Sequence, residues 1–146
     1  MSNVVSCFNR IGDVAALTGS LAAADLAPAL RTLVDWLEHS FEPHTAWEEQ
    51  WLFPRLDQRA GSGWPGRLMR FEHDQIQRAV AELAVERDTL RHEPTHDDLL
   101  RLRSRLYGLE AIIRAHIERE ERFLLPLLDA PEPGSPEPVA SHAAVG

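Results

Sequence analysis

The 146-residue chain lacks several residue types and motifs that carry common protein functions. All fifteen basic side chains are arginine, so neither lysine Schiff-base chemistry nor a P-loop nucleotide site is available. The one cysteine, Cys7, cannot form an internal disulfide, and a reducing cytoplasm is the expected location. No GxGxxG, GxSxG or CxxC motif occurs, which leaves dinucleotide-binding, serine-hydrolase and thioredoxin-type functions without support.

Charge and hydropathy exclude further classes of function. The net charge of −8 disfavours nucleic-acid binding, because phosphate contacts require a basic surface. No apolar run approaches the ~20 residues of a membrane span. The opening "MSNVVSCFNR" has no basic segment before an apolar one, so we expect no secretion signal. With 44% apolar residues, the chain has the composition of one globular domain with a buried core.

The spacing of apolar residues predicts four amphipathic helices and no strand. We expect the first helix over residues 3–23 and the second over residues 25–57, with a kink at the internal Pro43. The stretch "RAGSGWPGR" then predicts a turn, and Thr95 with Asp98 predicts a capping box at the start of the fourth helix. The apolar stripes of the last two helices are Met69, His73, Ile76, Val80 and Leu83, and then Leu99, Leu102, Leu106, Leu109, Ile113, His116, Glu120, Phe123 and Leu127.

Helices of this length joined by short connections favour one fold class. We predict an all-α protein, an antiparallel up-down-up-down four-helix bundle over residues 1–129. Residues 130–146 are rich in proline and alanine with almost nothing to bury, and we expect them to form a flexible tail.

One stretch of the sequence occurs twice. "HTAWEEQWLFPRLD" runs from His44 to Asp57, and "HIEREERFLLPLLD" runs from His116 to Asp129, with seven of fourteen positions identical. In each copy the histidine and the first glutamate are four residues apart, so on a helix both lie on one face, which here is the apolar face. The second glutamates, Glu49 and Glu121, are rotated by about 100° and are expected nearer the flank of the bundle.

Carboxylates on two facing apolar stripes require a partner. Burying Glu48 and Glu120 together without a cation would be prohibitively costly. His44 and His116, with His73 from the third stripe, add imidazoles in the same layer, and imidazole with carboxylate suits iron, zinc or manganese rather than calcium. A single such histidine is more simply a hydrogen-bonded core residue or half of a surface ion pair. The repetition favours a dinuclear non-haem metal site.

The segments "HTAWEEQWLFPRL", "FEHDQI" and "HIEREERFLLPLL" resemble the three characteristic segments of the hemerythrin-like HHE cation-binding family. The resemblance extends over about residues 4 to 129. It implies an antiparallel four-helix bundle around a di-iron centre, with His44, His73 and His116 as terminal ligands and Glu48 and Glu120 as bridging ligands. It also implies reversible binding of O2 or NO, in oxygen storage, sensing, or iron and nitrosative-stress handling.

The sequence departs from the family pattern in the first helix, which normally carries another histidine and here has none. Phe8 occupies the equivalent position on the apolar stripe. The neighbouring Cys7 is an alternative sixth ligand, because a thiolate can bind iron, although a small buried hydrophobe is the simpler interpretation. The third helix offers His73 alone. One metal instead of two, or another divalent metal, therefore stays an alternative.

Three functions fit these residues. The first is a metal protein that binds O2 or NO without turnover. In that layer Trp51, one turn beyond Glu48, is expected either to shield the metal or to pack in the core. The second is a di-iron oxidase or peroxidase-like enzyme that uses the same site. The third is a metal-free bundle that acts through a protein partner or a second copy of itself, by way of its acidic surface or its tail.

Overall fold

The computed structural model describes residues 10–16 and 23–129, which are almost entirely helical and contain no strand. The described part of the first helix, α1, is residues 10–16. The predictions for residues 1–9, including Cys7, for residues 17–22 and for the tail lie outside the described residues. Helix α3 is Trp64–Thr89. Helix α2 is an unbroken run of five segments: Ala23–Trp36, Leu37–Phe41, Glu42–Trp47, Glu48–Leu52 and Phe53–Ala60. Helix α4 comprises His96–Arg119, Glu120–Leu124 and, after Leu125, Pro126–Asp129.

Contacts between side chains give the relative direction of α2 and α3. Glu38, early in α2, pairs with Arg87 near the end of α3 at 3.3 Å. Glu49, late in α2, contacts His73 near the start of α3 at 2.8 Å. The two helices therefore run antiparallel, as predicted.

The same test applies to α3 and α4. Glu72 near the start of α3 contacts His116 near the end of α4, at 3.0 Å. Glu86, fourteen residues further along α3, contacts Arg101 near the start of α4, at 2.8 Å. These helices are also antiparallel, and the all-α four-helix architecture predicted from the sequence is confirmed. Within the part of the chain that the structure describes, no helix is both long and apolar enough to cross a membrane.

Two apolar clusters stabilise the bundle and lie on either side of one polar layer. The larger contains residues from all four helices, including Ile76 of α3 and Ile113 of α4. The smaller contains Phe53, Leu56, Met69 and Leu124. Along α3, His73 lies between Met69 and Ile76, and along α4, His116 lies between Ile113 and Leu124. The layer that contains the histidines is therefore enclosed by apolar side chains above and below.

The predicted stripe of α3 is confirmed, since all five of its members are buried. The stripe of α4 is confirmed from Leu102 to His116, but the prediction for Phe123 is wrong: its side chain is 66% exposed, and Leu124 is buried in its place. The reason is a π-helical segment at Glu120–Leu124. A π-helical turn closes its hydrogen bonds over five residues instead of four, so the residues that follow are rotated relative to a regular α-helix.

Three π-helical segments occur in the described chain, and each ends two residues before a proline. The segments are Leu37–Phe41, Glu48–Leu52 and Glu120–Leu124, and the prolines are Pro43, Pro54 and Pro126. Proline has no N–H and its ring crowds the preceding turn, so regular α-helical bonding is interrupted there. The interruption expected at Pro43 therefore takes the form of a π-helical turn, a recognised cause of helix kinks.

The connection between α2 and α3 is shorter than the predicted turn. Gly61 has φ +62°, the left-handed conformation that glycine adopts at no steric cost, and it ends α2. Helix α3 already begins at Trp64, with Pro65 in its first turn, where a missing N–H does no harm. The Asp57 carboxylate accepts a hydrogen bond of 2.7 Å from the Gly66 N–H. At α4, the predicted capping box of Thr95 and Asp98 is confirmed.

Candidate metal centre

Three side chains from three helices meet in the polar layer. Glu48 comes from α2, His73 from α3 and His116 from α4, and each has one ligand atom within 4.8 Å of the other two. All three are buried, with residue exposures of 4%, 1% and 3%. Among the residues described, no other group of three or more histidine, cysteine, aspartate or glutamate side chains has this geometry.

The donor atoms of this cluster point at a common region. Nε2 of His73 lies 3.2 Å from Nε2 of His116 and 3.1 Å from Oε2 of Glu48. Two nitrogen ligands at about 2.0–2.1 Å from one metal ion are separated by roughly 3 Å, so the two imidazoles have the spacing of ligands to a shared ion. Two imidazoles and one carboxylate are also a donor set suited to non-haem iron.

The other two predicted ligands lie at the edge of this cluster. Nε2 of His44 is 2.9 Å from Oε1 of Glu48, but the His44 side chain is 45% exposed. Oε2 of Glu120 is 3.7 Å from Nε2 of His116, and the Glu120 side chain is 13% exposed. The two oxygens of Glu48 therefore face different histidines, His44 and His73. All five predicted ligands lie in one layer, whereas Cys7 lies outside the described residues.

The far side of each buried imidazole also has a carboxylate. Nδ1 of His73 is 2.8 Å from Oε1 of Glu49, and Nδ1 of His116 is 3.0 Å from Oε2 of Glu72. The second oxygen of Glu72 forms an ion pair with Arg119. Glu49 lies near the flank, as its position in the sequence suggests, with a side chain 36% exposed, yet it reaches the histidine.

The contact of Glu72 with His116 was not predicted from the sequence, and Glu72 is only 5% exposed. The sequence feature that could have identified Glu72 is its position immediately before His73. Adjacent residues on a helix differ by about 100°, so when His73 faces the centre of the bundle, Glu72 faces one neighbouring helix. Here that neighbour is α4, which carries His116.

The ionisable groups of the layer have shifted pKa values. Burial, together with the nearby charge of His73, lowers the pKa of His116 to about 4, so this imidazole is neutral at pH 7. Burial also acts to lower the pKa of His73, but hydrogen bonds with Glu48 and Glu49 outweigh it and the net shift is upward. Burial, and then the charge of Glu48, raise the pKa of Glu120 to about 7. A dication in this layer would relieve that repulsion between carboxylates, so the residues present fit a metal.

The apolar wall of the site is Phe53. This residue is fully buried, and its ring centroid is 5.1 Å from that of His73. The expectation that Trp51 shields the layer is wrong, because its side chain is 58% exposed. The π-helical segment Glu48–Leu52 explains the difference, since it moves the inward-facing position to Phe53.

The comparison with protein families agrees with this geometry. The sequence model for the hemerythrin HHE cation binding domain matches residues 6–128. Searches among curated proteins and among solved structures found no match. The family match covers α2, α3 and all five predicted ligands. It also covers the repeated stretches that supply four of these ligands, apart from Asp129. The chain therefore belongs to the hemerythrin HHE cation-binding domain family.

Proposed function

We propose that this protein holds non-haem iron in the layer formed by Glu48, His73 and His116 and binds O2 or NO there. The observation that carries the proposal is the convergence of two imidazole nitrogens and one carboxylate oxygen, all buried, from three helices. Bound iron would supply the open coordination positions and the redox chemistry that binding of a diatomic ligand requires. The donor set suits iron, zinc or manganese, and the family favours iron among them.

We propose that the layer binds two metal ions with different affinities. The first position consists of His73, His116 and one oxygen of Glu48. The second depends on the other oxygen of Glu48 and on His44, which is half-exposed. Glu120, 3.7 Å from Nε2 of His116, would supply a further oxygen. The second ion would therefore bind more weakly and exchange more easily. The alternative is that each chain binds a single iron tightly.

Burial supports binding or sensing of a small ligand rather than turnover of a large substrate. The three central donors are at most 4% exposed, so a bulky molecule has no access to them in this conformation. A diatomic gas needs far less room, and the exposed edge of His44 marks the side from which the layer is open. We propose a role in the cytoplasm, in O2 storage, gas sensing, or iron and nitrosative-stress handling.

Metal analysis tests the proposal directly. Protein loaded anaerobically with Fe(II) and freed of excess metal is expected to retain two irons per chain, or one if the second position is weak. On exposure to air, oxo-bridge absorbance in the near ultraviolet is expected for two irons. His73→Leu should lose the metal, whereas His39→Ala should keep it, because His39 is exposed and bonds the Asp35 carbonyl. Absence of retained iron in the wild-type protein would overturn the proposal.

A metal-free bundle is the second candidate, and one observation favours it. Within residues 10–16 and 23–129, every buried side-chain nitrogen and oxygen has a hydrogen-bond partner, so histidine–glutamate bonds satisfy the layer without an ion. The two functions differ in the effect of metal on folding. A ligand at 100 times its Kd stabilises the native state by about 2.7 kcal/mol, so Fe(II) should raise Tm by about 5–10 °C if the site is used. An unchanged Tm would favour the metal-free function.

A further inference from the structure

We propose that Glu49 and Glu72 are positioning residues, each of which holds one histidine of the metal layer by its Nδ1–H so that Nε2 faces the shared donor cluster. This proposal rests on the proposed metal-binding function but adds two residues to it. Neither glutamate is among the five predicted ligands, and neither has an oxygen in the group of mutually close ligand atoms.

The first pair joins α2 to α3. Nδ1 of His73 is 2.8 Å from Oε1 of Glu49, while Nε2 of the same ring is 3.1 Å from Oε2 of Glu48. Two successive residues of α2 therefore contact opposite edges of one imidazole. Phe53 packs against the ring, with centroids 5.1 Å apart, and further restricts its rotation.

The second pair joins α3 to α4. Nδ1 of His116 is 3.0 Å from Oε2 of Glu72, while its Nε2 is 3.2 Å from Nε2 of His73. Glu72 is buried and is itself held by Arg119, one turn beyond His116 on α4. The Glu72 carboxylate is thus fixed between two groups of the same helix, and its orientation does not depend on solvent.

The two pairs follow one pattern. In Glu48–Glu49 and in Glu72–His73, one residue faces the metal layer and its neighbour in sequence contacts a histidine on the adjacent helix. The rotation of about 100° per residue makes this possible, because consecutive side chains point to different neighbours. The two adjacent glutamates of the first repeat therefore have different roles: Glu48 is a predicted ligand, and Glu49 supports His73 on the next helix.

The chemical reason is the single N–H of a neutral imidazole. A carboxylate at Nδ1 keeps the proton on that nitrogen and leaves the Nε2 lone pair available to a metal. Without the carboxylate, the proton can move to Nε2, where it competes with the metal, and the ring can turn. Such outer carboxylates typically change metal affinity by about 10–100-fold.

Glu49 offers the cleaner test, because its side chain is 36% exposed and its replacement should not disturb folding. Glu49→Leu is expected to weaken Zn2+ binding by about 10–100-fold, measured by competition with a chelator. The matched control is Glu121→Leu, at the same position of the second repeat, where the side chain is exposed. Affinity in Glu121→Leu should stay within about twofold of wild type. Equal affinities in the two variants would overturn the role of Glu49.

Glu72 is buried, so its test needs a control for the loss of a buried carboxylate. Glu86 provides it, since it is equally buried on the same helix and pairs with Arg101 and Arg105 but with no histidine. Glu72→Leu should weaken Zn2+ binding and Glu86→Leu should not, although both lose an ion pair. Glu72→Gln retains an acceptor for Nδ1–H and is expected to recover part of the affinity. If Glu72→Leu fails to fold, the Zn2+ affinity of Glu72→Gln still tests the role of Glu72. The loss of charge alone is expected to weaken Zn2+ binding relative to wild type.

A second readout is independent of metal. Long-range 1H–15N spectra of the metal-free protein, labelled with 15N-histidine, report which ring nitrogen carries the proton. We expect the His116 proton on Nδ1 in the wild type and in Glu86→Leu, and a shift towards Nε2 in Glu72→Leu. A wild-type His116 protonated at Nε2 would refute the inference even if metal binds. If the tautomers are as expected but no iron is retained, the proposed function fails and the positioning of the imidazoles stands.

Discussion

The two copies of the repeated stretch share a local structure but differ in their surroundings. In each copy a π-helical segment begins at the first glutamate, Glu48 or Glu120, and ends two residues before a proline. The histidines that precede these segments differ: His116 is 3% exposed, whereas the side chain of His44 is 45% exposed. Similar sequences therefore form the same turn, and the neighbouring helices decide how deeply each histidine is buried.

The second glutamate of each copy, Glu49 or Glu121, also has different surroundings in the two copies. Glu49 contacts His73, because α3 brings an imidazole to that flank of α2. Glu121, its counterpart in α4, is exposed. The support for His116 comes instead from Glu72 on α3. The comparison teaches that an internal repeat can supply two similar half-sites whose members have unequal roles, because α3 contributes differently to each.

The largest effect should come from the buried apolar residues at the ends of the two π-helical turns: Phe53 directly follows the first turn, and Leu124 is the last residue of the second. Phe53 and Leu124 are fully buried, whereas Leu52 and Leu125, the matched residues of the opposite copies, are only partly buried. Phe53→Ala should lower the free energy of unfolding by about 3–5 kcal/mol and Leu124→Ala by about 2–5 kcal/mol. Leu52→Ala and Leu125→Ala should cost about 1 kcal/mol. Urea denaturation measures all four.

Large losses for Phe53→Ala and Leu124→Ala only would show that the buried apolar residue lies one position later in the first copy than in the second. Equal losses for Leu52→Ala and Leu124→Ala would contradict the assignment, because both occupy the same place in the repeat. Phe53→Ala should also loosen His73, against which the ring packs, and weaken metal binding beyond its effect on stability.

A smaller effect is expected from the two histidines of the repeat. His116→Leu removes a buried donor of the central cluster and should weaken Fe(II) binding by more than about 100-fold, above the usual range for supporting residues. His44→Leu should leave the first metal position intact and reduce the iron content from two towards one. Anaerobic titration with Fe(II) measures both, and far-UV circular dichroism confirms the fold.

If His44→Leu abolished all iron binding, the two half-sites would be equivalent in function despite their unequal burial. The proposed order of metal positions would then be wrong. His39→Ala serves as the control for loss of a histidine on the same helix, because its ring contacts the backbone and not the metal layer.

Much of the fold could be predicted because it depends on local patterns. The stripe from Met69 to Leu83, the capping box at Thr95 and the antiparallel order all follow from residue spacing and short connections. The exposure of Trp51 and Phe123 could not be predicted, because regular α-helical periodicity does not anticipate a π-helical turn.

The polar layer was predictable for a related reason, and only in part. The repeat identified Glu48 and His116 on the inward faces of α2 and α4, and the apolar stripe of α3 added His73, so the three could be placed together. The contacts of Glu49 and Glu72 depend on which helices are neighbours and on their relative rotation, and the spacing within one helix does not specify these.

The smallest effect concerns the last residue of each copy. The Asp57 carboxylate accepts a hydrogen bond of 2.7 Å from the Gly66 N–H in the first turn of α3, while Asp129 is exposed at the end of α4. An acceptor at a helix N-terminus stabilises by about 0.5–2 kcal/mol, and a negative charge there also interacts favourably with the helix dipole. Asp57→Ala should therefore lower the free energy of unfolding by about 1 kcal/mol, whereas Asp129→Ala should change it by less than about 0.5 kcal/mol. Asp57 fixes Gly66, which lies seven residues before His73 on α3. The loss of Asp57 should therefore also weaken metal binding slightly. Equal stability of the two variants would show that the first copy does not help to place α3, and the difference between the copies would then be confined to the metal layer.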